Sequence, residues 1–244
     1  MGQIIAGWTV TAVIASAGGD PITFNKRGEK IKFWLPLGTS ASDNDDLYPL
    51  LETPDIIIWA SVFQGPGVDY QWFDRFVLTS PTAQKFGEVA IKRNASTVPG
   101  GFQQMDVWLS GSEQRMQLLK TVPKAGSSTF FGWEGTSVRM EIGSRRHTPR
   151  LGGSDIMEYI AVETETISFT IQASHAGTEF PEDVEKQLKY SHLDWVALDM
   201  RREESYTGIL PELWGTQPMT EKVAAMLTPP SQKAGFQVCG EECE

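Results

Sequence analysis

Tyr190-Ser-His-Leu-Asp-Trp-Val-Ala-Leu-Asp-Met200, followed after a short polar gap by Tyr206-Thr-Gly-Ile-Leu-Pro-Glu-Leu-Trp-Gly-Thr-Gln-Pro218, reads as a strand running into a closing turn bounded by Gly and Pro. That is how a β-domain finishes its last structural strand. No nucleophile motif, metal cage or phosphate loop accompanies the stretch. Working outward from it, the chain repeats the same grammar. Ile22-Thr-Phe24 and Lys30-Ile-Lys-Phe-Trp-Leu35 alternate around Asn25-Lys-Arg-Gly28, the composition of a hairpin. Asp55-Ile-Ile-Ile-Trp-Ala-Ser-Val-Phe63 is an apolar strand closed by Gln64-Gly-Pro-Gly67. Further strand signals fall at 47–51, 72–79, 88–92, 105–109, 117–122, 136–142, 157–162 and 166–173, many of them separated by Gly or Pro. The pattern predicts an all-β protein, an antiparallel β-sandwich or barrel-like domain. Helical periodicity is confined to Thr220–Leu227, where Thr220 can cap and Pro229-Pro230 enforces a stop.

Length and composition fit that architecture. A chain of 244 residues with 40% hydrophobic content suits one large β-domain. No internal repeat is evident. The Gly- and Ser-rich segment 124–135 offers a weak subdivision, but a single domain over 1–228 explains the pattern with fewer assumptions. Beyond it, 229–244 reads as a flexible acidic tail. Its cysteines, Cys239 and Cys243, are the only two in the chain, so a disulfide here would be local or intermolecular; free thiols are the competing reading. A net charge of −10 excludes the broad basic footprint that nucleic acid requires. No run approaches the roughly 20 apolar residues of a membrane-spanning helix, and residues 4–17 read as a first strand rather than a signal peptide.

Candidate sites are few. Asp43, Asp45 and Asp46, with Asn44, supply oxygen ligands that could hold calcium, although the Gly and Glu positions of a helix-loop-helix site are missing; a solvated acidic loop is the other reading. Arg145 and Arg146 lie in the basic cluster Arg139, Arg145, Arg146, His147 and Arg150, which either meets an anionic partner or is a solvated loop. Trp34, Trp59, Trp108 and Trp195 fit strand alternation and belong to the core. Trp72, Trp133 and Trp214 sit near Gly or Pro, where exposed rings could grip a protein partner or stack on carbohydrate. Asn94-Ala-Ser96 fits a glycosylation acceptor, meaningful only in an exported chain. His192 and Asp194 share a strand face and could form an acid-base pair completed by Ser205 or His175. Glu163 with Glu165, or Glu203 with Glu204, could serve a hydrolase if they faced each other across a cleft.

Two stretches carry a resemblance. Gly19-Asp-Pro-Ile-Thr-Phe-Asn-Lys-Arg-Gly28 with Lys30-Ile-Lys-Phe33 resembles the opening of von Willebrand factor type D domains. Tyr190-Ser-His-Leu-Asp194, Thr207-Gly-Ile-Leu210 and Trp214-Gly215 are similar to the closing segment of inter-alpha-trypsin inhibitor heavy chains. Type D domains are rich in disulfides, whereas no cysteine precedes Cys239 here. What the resemblance implies is a noncatalytic, extracellular or surface-assembly module that binds a protein partner or a further copy of itself. A lectin-like domain and a hydrolase with dispersed carboxylates are the competing classes.

Overall fold

The computed structural model describes residues 15–17, 21–25, 27–37, 47–65, 67–91, 97–98, 101–102, 105–111, 114–118, 127–133, 136–147, 155–174 and 190–233. In chain order the strands are β1 (Ala15–Ala17), β2 (Ile22–Phe24), β3 (Lys30–Lys32), β4 (Tyr48–Glu52), β5 (Ile57–Gln64), β6 (Gln71–Thr79), β7 (Lys85–Ile91), β8 (Thr97–Val98), β9 (Gly101–Phe102), β10 (Met105–Gly111), β11 (Gln114–Leu118), β12 (Ser127–Trp133), β13 (Thr136–His147), β14 (Asp155–Glu163), β15 (Ile167–Ser174) and β16 (His192–Met200). Helices α1 (Ile209–Trp214) and α2 (Glu221–Ala225) close the described chain, with short 3-10 turns at Glu203–Ser205 and Pro230–Gln232.

The expected all-β, antiparallel architecture is what forms. Every strand pairing among the described residues is antiparallel. Strands β4, β5, β6, β7, β10 and β11 follow one another as a meander, and β12 to β16 form a second, extended by β1. The two meet where β6 lies beside β16, at the single register pair Phe73 and Leu193. Between the layers lies a core that includes Phe33, Leu50, Ile58, Phe73, Phe76, Phe169, Trp195 and Tyr206, each with almost no exposed surface.

Two elements depart from the sequence pattern. Within the Gly- and Ser-rich stretch at 124–135, β12 pairs with β13 from Ser127 with Ile142 to Trp133 with Thr136. A sheet ladder depends on backbone hydrogen bonds, so small polar side chains did not prevent a strand there. The closing turn after Tyr206 contains a helix. Gly208 precedes it at φ 106°, and Gly215 follows it in the left-handed conformation at φ 77°. The glycines that look like turn formers are the two ends of α1. By contrast α2 is where the periodicity puts a helix, and the Thr220 side chain caps it by accepting the Val223 N–H. The body also extends past 229. The Asp69 carboxylate accepts from Ser231 N (3.0 Å) and Ser231 Oγ (2.6 Å), so the tail's first residues are fastened to the β5–β6 turn.

The layers are locked at one end by two copies of one turn. Glu52-Thr-Pro-Asp-Ile56 joins β4 to β5, and Glu163-Thr-Glu-Thr-Ile167 joins β14 to β15. In the first, Thr53 N donates to Ile56 O at 2.8 Å, and Thr53 Oγ1 accepts from Asp55 N (3.2 Å) and Ile56 N (3.1 Å). Thr164, Thr166 and Ile167 repeat the set at 2.8, 3.2 and 3.1 Å. The cross-contacts are reciprocal. Thr166 Oγ1 donates to Thr53 Oγ1 (3.2 Å), and Thr164 Oγ1 donates to Asp55 Oδ2 (3.1 Å). Asp55 Oδ2 also accepts Thr166 N at 2.7 Å. Tyr206 is wholly buried against this junction, its hydroxyl shared between Thr166 O (2.7 Å) and Arg201 O (2.9 Å). Burial is the main reason its pKa is pushed up to about 12.

Candidate interaction surface

The hairpin β2–β3 belongs to neither meander. Its turn is built around Asn25, whose Oδ1 accepts Arg27 N and Glu29 N at 2.9 Å each, while Asn25 O accepts Gly28 N at 2.9 Å. Gly28 takes the left-handed conformation the turn requires, at φ 76°. The register pairs Ile22 with Lys32, Thr23 with Ile31 and Phe24 with Lys30. Because side chains alternate across a strand, Thr23 and Ile31 share one face, and Ile22, Phe24, Lys30 and Lys32 share the other. Thr23 is fully buried and its hydroxyl accepts Trp214 Nε1 at 2.7 Å. Ile31 packs on the core. The second face is therefore turned outward, and Phe24 is 43% exposed.

Tyr70 extends that face. The Lys32 ammonium lies over its ring, 4.7 Å from the centroid, and 5.4 Å from that of Trp34. Tyr70 ends the β5–β6 turn, where the Gln64 side-chain amide donates to Gly67 O and to Tyr70 O. A Cβ at Gly65 would come within 2.8 Å of Tyr70 Cβ, so glycine is required for this closure. Trp34 Nε1 donates to Asp69 O at 3.0 Å, and Trp34 N donates to Met226 O at 2.7 Å. The bonds from Ser231, first its hydroxyl and then its N–H, hold the Asp69 carboxyl below the usual range, with Lys32 adding in the same direction.

The residues singled out from sequence fall elsewhere. Trp72 is in β6, not a loop, and is 3% exposed; its ring stacks on His192 at 5.1 Å and meets Phe63 and Tyr190 edge-on. Trp214 is the last residue of α1 and 4% exposed, stacked on Trp195 at 6.4 Å. Both rings are buried against other side chains of the chain. Trp133 ends β12, in a strand and not a loop. Arg145 and Arg146 likewise lie in β13, opposite Met157 and Ile156. Asp43, Asp45, Asp46, Asn94, Cys239 and Cys243 lie outside the described residues.

The catalytic arrangements do not assemble among the described residues. His192 Nδ1 is 3.1 Å from Tyr190 O and its ring is committed to Trp72. Ser205 lies beyond the far end of β16, a strand whose nine residues span about 30 Å, and its hydroxyl donates to Arg202 O. Glu203 and Glu204 are consecutive in one 3-10 turn beside a shallow cleft of about 330 Å³ lined by Met200, Arg202 and Thr216. They flank it from one side and do not face each other. No group of three or more His, Cys, Asp or Glu among the described residues could hold a metal ion, and no described helix is long and apolar enough to cross a membrane.

The hairpin lies where the sequence predicts one. Its residues 22–32 carry Lys26, Arg27, Lys30 and Lys32 against Glu29 alone, in a chain with 21 basic and 31 acidic residues. Neither a protein-family model nor a curated protein matches this sequence.

Proposed function

We propose that this chain is a noncatalytic interaction module within a larger surface, matrix or multi-subunit assembly, and that the outward face of the β2–β3 hairpin with Tyr70 meets the partner. The observation that carries the reading is Phe24, 43% exposed beside Lys30 on the hairpin face whose Lys32 lies over the ring of Tyr70, itself 46% exposed. Exposed aromatic rings are enriched in interface cores, and charged side chains such as Lys30 fit the polar rim around them. The frame beneath them is fixed by the Asn25 turn and by the Trp214–Thr23 bond, so little ordering cost remains on binding. A secreted setting, as the type D resemblance implies, fits the same role. A carbohydrate partner is less well served, since Lys32 lies over the Tyr70 ring and a Cβ on Gly67 would come within 3.1 Å of it.

The test is the native assembly. Protein isolated from its own source under mild conditions is expected to elute well above the size of one chain, and Phe24→Ala with Tyr70→Ala is expected to return it to monomer size with its circular dichroism unchanged. A wild-type chain that elutes alone, or a double variant that stays assembled, refutes the reading.

A further inference from the structure

We infer that the partner segment taken by the hairpin face is an acidic peptide, with carboxylates set against Arg27 and Lys30 and an apolar side chain against Phe24. The inference rests on the interaction reading above and adds the chemistry of the partner. The whole chain carries a net charge of −10, yet the hairpin reverses that sign, with four cations against one carboxylate over residues 22–32. The carboxylate is engaged: Glu29 Oε2 accepts Asn25 Nδ2 at 2.6 Å. Lys32 is committed to two aromatic rings. Arg27 and Lys30 are exposed, with no side-chain ion pair or hydrogen bond among the described residues. Lys30 is the register partner of Phe24, so cation and exposed ring stand side by side on the outward face.

A fixed pair of unneutralised cations beside an exposed ring is complementary to a segment that alternates carboxylates with apolar side chains. A nucleic acid, the other polyanion, would meet the field of a strongly acidic chain, because few phosphates could be neutralised while the rest are repelled. A short acidic peptide meets the same repulsion but carries fewer charges, and its apolar side chain adds a contact with Phe24 that a phosphate backbone does not supply.

The experiment uses the full chain and three labelled probes: a Glu-rich peptide carrying phenylalanine, its Gln-for-Glu counterpart, and a single-stranded oligonucleotide. Fluorescence anisotropy is expected to show the acidic peptide binding roughly tenfold or more tightly than the neutral one, with roughly tenfold losses for Lys30→Glu and Arg27→Glu. Binding should also weaken as salt rises from about 0.1 to about 1 M, which shortens screening from about 10 to about 3 Å. Both residues are exposed, so melting temperatures should hold and certify that the variants fold. Equal binding of the two peptides, indifference to either charge reversal, or tighter binding of the oligonucleotide overturns the inference. If the peptides fail while Phe24→Ala with Tyr70→Ala still breaks the native assembly, only the acidic chemistry is wrong; if both fail, the interaction reading falls as well.

Discussion

Replacing Trp214 tests whether α1 closes the core. The ring is 4% exposed, stacks on Trp195, and donates its N–H to Thr23, which has no exposed surface. Trp214→Ala removes the whole buried ring, a change that costs about 3–5 kcal/mol in well-packed cores. It also strands the Thr23 hydroxyl, and an unsatisfied buried polar group costs about 1–3 kcal/mol. Against a typical stability of about 5–15 kcal/mol this is a large fraction, visible as a lower guanidinium midpoint at constant slope. Far-UV circular dichroism is the suitable probe, since the mutation alters the fluorescence itself. Two milder variants separate the terms. Trp214→Phe keeps most of the apolar area and deletes the donor; Thr23→Val keeps the shape and deletes the acceptor. Each should cost about 1–3 kcal/mol, while the double variant, which leaves no orphan, should cost less than their sum by about 1–2 kcal/mol. A loss below about 1 kcal/mol for Trp214→Ala, or strict additivity in the cycle, would refute the packing and the hydrogen bond respectively.

Other perturbations reach the rest of the frame. Asp55→Ala removes the acceptor that Thr166 N and the Thr164 hydroxyl share and leaves them only the longer bonds within their own turn, so urea denaturation should show a loss of roughly 2–3 kcal/mol, whereas Asp55→Asn, which keeps an acceptor, should lose about 1 kcal/mol. Equal losses would mean that this oxygen does not bind the two turns. Tyr206 has its folded pKa raised, so its contribution is whole below the unfolded value near pH 10 and is lost as pH climbs through about 12. Wild-type stability should therefore fall more steeply than that of Tyr206→Phe over that window, and parallel curves would contradict the burial. Gly208→Ala should cost about 1–3 kcal/mol because its φ is 106° and the new Cβ would lie 3.0 Å from Leu50 O, whereas Gly28→Ala, at φ 76° with open space around it, should cost only about 1 kcal/mol. Thermal melts that reverse this order would refute it.

The sequence was legible where side-chain alternation reports a local fact. The β2–β3 hairpin and β16 can be read directly, because a half-buried strand alternates whatever its neighbours are, and β5 can be read as a short apolar run bounded by turn residues. It was not legible where the deciding contact is distant. Trp72 lies close to the glycines of the β5–β6 turn and looks exposed, yet Tyr190 and His192, far along the chain, cover its ring. Trp214 next to Gly215 looks like a turn residue until Thr23 and Trp195 are brought to it. β12 was hidden because its composition is that of a loop and its order comes from β13. The repeated turn had a signal that could have been found: Glu-Thr-x-x-Ile occurs at 52–56 and again at 163–167. Only the fold shows that the two copies grip each other.

The reciprocal turns also explain why the hairpin can be spared for another role. With Thr53 held to Thr166 and Thr164 to Asp55, one end of the sandwich is fastened without help from β2 or β3, and the single Phe73–Leu193 register pair joins the two meanders where β6 meets β16. The hairpin is instead held from its inner side and its ends, through Thr23 to Trp214, Trp34 to Met226, and Gln71 Nε2 to Leu35 O at 2.8 Å. None of these bonds uses the side chains of Phe24, Arg27 or Lys30. The overall charge of the chain gives no reason for cations at 27 and 30. On the proposed interaction reading, Phe24 and Lys30 are the outward side chains left to a partner, on a hairpin whose charge is opposed to that of the whole chain.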